Sequence, residues 1–378
     1  MSENPAVMEQ PAILSATLLE RVVHATAAAG GWLPFDRFMA MALYEPGLGY
    51  YTNSGVKFGT MPGSGSDFVT APELSPWFGW AVAQQVAQAL ETTQTRDVWE
   101  FGAGTGALAD QVLGALSDPG VCYHIVDVSG TLKARQQDRL TAWGDQVVWH
   151  DRWPERLEGV VLGNEVLDAM PVQLLHRDNG VWHERGVVVT NGLGGAATLA
   201  WSDRATSLRP PVEVPGDHAY TTEIHPQAEA FMRSLAACWT RGVALLLDYG
   251  FPEAEYYHPQ RHMGTLVCHR HHRTDADPLT LLGQKDITAH VNFTGIALAA
   301  QDAGLAVLGY TSQGRFLINC GLLARVQEAP LADRANSARL VNEHEMGELF
   351  KVLALAPAGQ DNTWVPLGFA QGDRTHRL

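Results

Sequence analysis

DVWEFGAGTGALADQVL, Asp97 to Leu113, runs from an apolar strand through a glycine-rich turn into a helix. Two patterns fit that turn. Gly102, Gly104 and Ala107 match the dinucleotide fingerprint G-x-G-x-x-G/A. Gly102, Gly104 and Gly106, with Glu100 two places before the first glycine, match a second pattern, acid-x-G-x-G-x-G. Both need glycine for one reason: the backbone must turn tightly and admit a ligand where a Cβ would collide. The turn alone does not choose between them.

Strand and helix patterns alternate outward from this stretch. Val98–Phe101, Tyr123–Val126, Val147–Trp149, Val160–Leu162 and Val243–Leu247 read as strands, with helices over Ala107–Leu116 and Leu132–Leu140. Such alternation implies a parallel sheet with crossover helices. Two late strands, Val307–Thr311 and Phe350–Leu355, bring the sheet to seven, the last antiparallel. Upstream, helices are expected over Ile13–Ala29, Phe35–Leu43 and Trp77–Leu90, with a Gly/Tyr/Pro-rich loop over Tyr44–Asp67. Asn179-Gly180 predicts a hairpin between Val172–His176 and Val181–Val189. Asn191–Pro215 reads as an irregular insertion, Thr222–Trp239 as a helix and Tyr256–Asn292 as a polar, histidine-rich insertion. The organisation expected is a helical N-terminal region with a covering loop over residues 1–94, a core over 95–356 and a tail over 357–378. Insertions near 190–219 and 251–292 interrupt the core and act as a lid.

At 378 residues and 46% hydrophobic, the chain can bury one large elaborated domain or two. A net charge of −15 excludes a nucleic-acid protein that relies on a broad basic surface. The four cysteines are scattered without a C-x-x-C, which points to a reducing compartment. No apolar run approaches the roughly 20 residues of a membrane span, and the acidic N-terminus has no basic targeting region. These features lead us to expect a soluble cytoplasmic protein.

An acid at the end of the second strand, here Asp127, grips ribose hydroxyls in either nucleotide class. Glu100 discriminates, because a dinucleotide turn has no use for a carboxylate there. Turns that bind S-adenosylmethionine (SAM) do use one. GNEVLDAMPVQLL, Gly163 to Leu175, follows the fourth strand, so Asn164, Glu165 and Asp168 face the crevice beyond the strand ends. In a helical turn Glu165 and Asp168 would share a face, and two carboxylates there could hold a guanidinium fork. The competing reading is a helix N-terminus, which favours Asn and Glu by capping and dipole alone.

These stretches resemble the MidA family of class I SAM-dependent methyltransferases, which includes the mitochondrial complex I assembly arginine methyltransferase. The matching segments are FDRFMAMALYEPGLGYY, DFVTAPELSPWFG, EFGAGTGALA, NEVLDAMPV, LLLDYGF, YYHPQRHMGTLVCHRHH and DITAHVNF, together with MGELFKVLAL. They keep the family's order over most of the chain. The resemblance implies a seven-stranded, Rossmann-like α/β core, SAM as cofactor and arginine methylation of a protein partner, a respiratory-complex subunit in the mitochondrial member. It also sets DFVTAPELSP over the cofactor pocket, bringing in Thr70. Asn292 stands where the family has an acid, Lys285 where it has Gln, and Gly130 where it has Pro.

The expected cofactor set is therefore Glu100, Gly102, Gly104, Gly106, Asp127, Asn164 and Thr70. Glu165, Asp168 and His290 are the catalytic candidates. DITAHV offers Asp286 and His290 as an acid–histidine pair, or else a capped helix start. The run of His258, His262, Cys268, His269, His271 and His272 lacks zinc-ligand spacing, so no metal is expected there. Partners expected are a protein substrate and, in a homodimer, a second copy; nucleic acid and membrane insertion are not. Two other classes remain open: a catalytically silent assembly factor on the same fold, and an NAD-dependent oxidoreductase.

Overall fold

The computed structural model describes residues 5–53, 69–127, 129–327 and 329–378. Much of the glycine-rich loop expected before Asp67, with Asp67 and Phe68 themselves, lies outside the described residues. The chain forms two compact units, each built from three segments. One comprises residues 1–68, 169–227 and 254–290; the other comprises 69–168, 228–253 and 291–378.

The second unit carries the sheet that the glycine turn belongs to. Its main strands are β1 (Asp97–Phe101), β2 (Cys122–Val126), β3 (Val147–His150), β4 (Val160–Asn164), β5 (Ala244–Phe251), β6 (Leu305–Ser312) and β7 (Phe350–Pro357). The order is β6-β7-β5-β4-β1-β2-β3, and the two-residue strand Val291–Asn292 pairs with the end of β5. β7 runs antiparallel to both neighbours, and every other pairing along this path is parallel. This is the expected α/β class. The central strands β4, β5 and β7 are continuous apolar runs because both faces are buried. Helices Pro76–Thr93 and Ala107–Leu116 pack on one another and share one core with the sheet through Val82, Val86, Leu108 and Val112. Residues 151–159, between β3 and β4, contain no helix. Residues 358–378, expected as a tail, fold onto this unit: Phe369 is buried in its core, and the Arg374 N–H donates to the Tyr310 carbonyl.

The other unit holds a five-stranded antiparallel sheet and a separate core around Leu18, Phe35, Phe38, Leu43 and Tyr50. Helix Pro5–Ala28 runs to the expected Gly30-Gly31 stop, where both glycines have positive φ. The predicted hairpin forms from Gln173–Asp178 and Val181–Asn191, with Asn179 and Gly180 both left-handed. Two expectations are corrected. Thr222 does not begin a helix: Tyr220–Ile224 is a strand paired with Gln173–Asp178, and the helix starts at Pro226. β-Branched Thr221, Thr222 and Ile224 favour the strand, while proline suits a first helical position. The stretch 191–215 is not irregular throughout, since Ala197–Ala205 extends the sheet beside Val181–Asn191. Among the described residues, no helix is long and apolar enough to cross a membrane.

Candidate active site

The glycine turn leaves β1 as the sequence suggests. Gly102, Gly104 and Gly106 have φ of 65°, 54° and 82°, values that side chains other than glycine rarely adopt. A Cβ on Gly102 would come within 3.2 Å of Val166 Cγ2, and one on Gly106 within 3.2 Å of Leu140 Cδ1. Gly106 caps helix Ala107–Leu116, so the turn presents backbone N–H groups and the positive helix end together. Beneath it, Glu100 is buried and accepts a 2.7 Å hydrogen bond from the Tyr123 hydroxyl. Burial, reinforced by the charge of Asp127, pushes the Glu100 carboxyl up to about 7 against the opposing Tyr123 bond.

Asp127 stands half-buried just beyond β2. Its Oδ1 accepts from the Ser129 N–H and its Oδ2 from Gln136 Nε2, each at 2.9 Å. These two bonds fix the Asp127 carboxylate at the end of β2, where an acid meets ribose hydroxyls in nucleotide-binding sheets. Gln136, fully buried, also donates to the Gly104 carbonyl at 3.0 Å and thereby ties the acid to the turn. Sequence reasoning misses Gln136, because a glutamine inside a helix carries no signal of its own. Thr70 is the N-cap of the short helix Ala71–Leu74, without a side-chain capping bond. From that helix Glu73 accepts from the hydroxyl of Thr105, within the glycine turn, and from Arg139 Nη1 at 2.7 Å. Burial raises the Glu73 carboxyl, but the Arg139 and Thr105 bonds outweigh it and leave it lowered.

The second cluster follows β4. Asn164 to Asp168 is not a helix start, contrary to the competing sequence reading. Glu165 sits at φ 55°, a left-handed conformation costly for a residue with a Cβ. Its N–H donates to the Leu247 carbonyl of β5 at 2.8 Å. Asp248 Oδ2 accepts from the N–H groups of Leu167 and Asp168 at 2.9 and 3.2 Å, so β5 moulds the whole turn. Asn164 Nδ2 donates to Glu165 Oε1, while Asn164 Oδ1 is buried with no hydrogen-bond partner among the described residues. Asp168 Oδ2 accepts a 2.6 Å bond from the Tyr249 hydroxyl. Burial, with the charges of Asp168 and Glu165, holds the Asp248 carboxyl well above the ordinary carboxylate range. Tyr249 was not a sequence candidate, although it directly follows Asp248 in DYG.

His290 belongs to the other unit. Its N–H donates to Thr265 Oγ1, and its carbonyl is paired with His225 Nε2 at 3.0 Å. The segment expected as a helix start is instead strand Asp286–Thr288, and Asp286 accepts from the Tyr51 hydroxyl. Lys285 is buried and donates to Asp275 and Thr280, whereas Asn292 caps helix Phe293–Asp302 as an aspartate would.

Comparison with known proteins follows the same lines. Residues 81–311 match the model of a family described as "Putative S-adenosyl-L-methionine-dependent methyltransferase". A crystal structure of a "likely methyl transferase" from Burkholderia thailandensis, bound to S-adenosyl-homocysteine, is 44% identical with TM-score 0.91, covering 100% of both chains. Curated relatives include Protein arginine methyltransferase NDUFAF7, mitochondrial, of Danio rerio, 27% identical over 86% of this chain and 84% of its own length. The Drosophila melanogaster homolog is 28% identical over 90% of this chain and 85% of its own. Both names say mitochondrial, which overturns the expectation of a cytoplasmic protein.

Proposed function

We propose, from the premise that the chain belongs to the family of S-adenosyl-L-methionine-dependent methyltransferases, that it methylates an arginine side chain of a partner protein. The observation that carries this reading is the turn after β4. It accepts a strained backbone at Glu165 and gathers Glu165, Asp168 and Asp248 at the carboxyl edge of the sheet. Ligands of open parallel sheets bind at that edge. Relatives named as protein arginine methyltransferases support the acceptor class.

The residues suit SAM. Gly102 and Gly106 leave the backbone open where a Cβ would crowd, Gly104 holds the left-handed φ between them, and the buried Asn164 Oδ1 has no donor among the described residues. Asp127 would hold the ribose hydroxyls, Glu100 would order the turn, and Thr70 stands at the entry of the helix whose Glu73 braces it. When bound, SAM supplies an electrophilic methyl carbon on sulfur. Displacement at that carbon needs chiefly a lone pair held in line. Glu165 and Asp168 would each accept guanidinium N–H bonds and fix the attacking nitrogen. Glu165 would accept the proton that the attacking nitrogen sheds. Tyr249 keeps Asp168 oriented through its hydroxyl.

Incubating cell extract with the protein and isotopically labelled SAM, followed by peptide mass spectrometry, tests this reading. Methylarginine in a protein is the expected product. A respiratory-complex subunit is the partner implied for the family's mitochondrial member, so respiratory-complex preparations belong among the acceptors tried. Label confined to small molecules would overturn the protein acceptor. Calorimetric binding of S-adenosylhomocysteine with no labelled product in any fraction would favour a silent factor, and binding of NADH alone an oxidoreductase.

A further inference from the structure

Strands β1, β2 and β3 of the main sheet carry a feature that methyl transfer does not use. Parallel pairing places Asp97 opposite Cys122, Trp99 opposite His124, and Val126 opposite His150. Residues paired this way, and those two apart along a strand, point to the same face. Asp97, Trp99, Cys122, His124 and His150 therefore share one face of β1, β2 and β3. With no helix in residues 151–159, Cys122, His124 and His150 are left only half-buried.

A carboxylate oxygen of Asp97, the Cys122 sulfur and a ring nitrogen of His124 lie within 4.8 Å of one another. His124 Nε2 stands 3.7 Å from Asp97 Oδ1, too long for a hydrogen bond. The corresponding edge of a zinc tetrahedron, with bonds of about 2.0–2.2 Å, is roughly 3.4 Å, so only a small closure is needed. The other nitrogen of His124, Nδ1, is 2.9 Å from His150 Nε2. That contact leaves Nε2 as the ligating atom when His124 carries its proton on Nδ1 and donates it to His150. Metal-bound histidines are oriented in this way by an outer partner. The Trp99 ring, stacked on His124 with centroids 3.9 Å apart, fixes the plane of the imidazole. Trp99 is itself anchored by its indole N–H to the Glu158 carbonyl at 2.9 Å.

We propose that Asp97, Cys122 and His124 bind a zinc ion, with His150 as the positioning partner of His124 and a fourth position open to solvent. Mixed carboxylate, thiolate and imidazole donors suit zinc better than magnesium or calcium. The side chain of Asp97 is 42% exposed, which gives the ion a path of entry. The ligands sit on the first residues of β1 and β2 and on the middle of β2, so the ion would staple two neighbouring strands.

The test uses the full chain, stripped with a chelator and titrated with zinc chloride by calorimetry and with cobalt(II) by absorption. One ion per chain is expected, with a thiolate-to-cobalt charge-transfer band. Cys122 is the only half-exposed cysteine and the other three are buried, so that band reports Cys122 without any variant. Cys122→Ser should abolish it. His124→Ala should weaken zinc binding by about a hundredfold or more, and His150→Ala by about ten- to a hundredfold. Circular dichroism of the stripped variants separates lost ligation from lost folding. Absence of the band in the unaltered chain overturns the proposal. So does zinc binding that survives Cys122→Ser and His124→Ala but fails when His269, His271 and His272 are replaced by Ala.

Discussion

Two turns meet at the carboxyl edge of the sheet, and they solve one backbone problem in opposite ways. After β1, three residues with positive φ are all glycines; after β4, the residue with positive φ is Glu165. The turns touch: Val166 of the second occupies the space next to Gly102 of the first. The glycine turn removes side chains to make room for a ligand. The second turn keeps a long carboxylate at a position where glycine would be easier, and draws backbone support from Leu247 and Asp248 to do so. One turn is shaped by what has to be absent and the other by what has to be present.

This contrast can be broken at five points. The largest effect is expected for Gly104→Val, which puts a branched side chain at φ 54°. It should abolish calorimetric binding of S-adenosylhomocysteine, and binding retained at full affinity would mean that the first turn is not the cofactor cradle. Glu100→Gln reports on stability. In the folded chain Glu100 keeps its proton to about pH 7, whereas unfolded it releases it near 4.5. Its burial therefore costs nothing below pH 4.5, and stability falls as pH rises through the window up to 7. The variant should lack that slope, which is worth on the order of 3 kcal/mol in urea unfolding between pH 5 and pH 8.

Glu165→Gln keeps size and most hydrogen bonding but removes charge. Methyl transfer should fall about a hundredfold, comparable to losing a preorganised electrostatic group, with S-adenosylhomocysteine affinity and Tm unchanged. Lost cofactor binding would assign Glu165 to the first turn's task instead. Tyr249→Phe releases Asp168 and should lower kcat/KM for the acceptor about tenfold, as expected for a hydrogen bond to a charged group. A normal value would leave Asp168 without a part in the acceptor site. The smallest effect is one of stability, from Glu165→Gly, which relieves the left-handed strain. A net gain of roughly 0.5–1 kcal/mol in unfolding free energy is expected alongside lost activity. A less stable variant would show that the Glu165 side chain holds the turn rather than straining it.

The first turn was legible in the sequence because its requirement is written in residue type: glycines at fixed spacing after an apolar run. The core strands were legible for a similar reason, since burial on both faces leaves unbroken apolar stretches. The second turn was only half legible. NEVLD has the composition of a capped helix start, and nothing local says that β5, about 80 residues later, supplies the bonds that bend it otherwise. Thr222–Ile224 was misread for the same reason, the partner strand of Tyr220–Ile224 lying at Gln173–Asp178. Gln136 and Tyr249 were invisible because their roles are geometric: each reaches a partner that the sequence does not place nearby. Asp286 and His290 were read as an acid–histidine pair or else a capped helix start; the segment is a strand, with Tyr51 bonded to the first, and Thr265 and His225 bonded to the backbone of the second.

The position of β7 bears on how the chain is made. It is the last strand of the main sheet, yet it lies between β5 and β6 and pairs with both. Until residues 350–357 leave the ribosome, β5 and β6 each present an open row of backbone donors and acceptors. Exposed edges of this kind recruit other strands, and pairings between residues distant in sequence form late. The nascent sheet is therefore most vulnerable to aggregation in the interval between synthesis of β6 and arrival of β7. A chaperone able to shield strand edges would act in that interval.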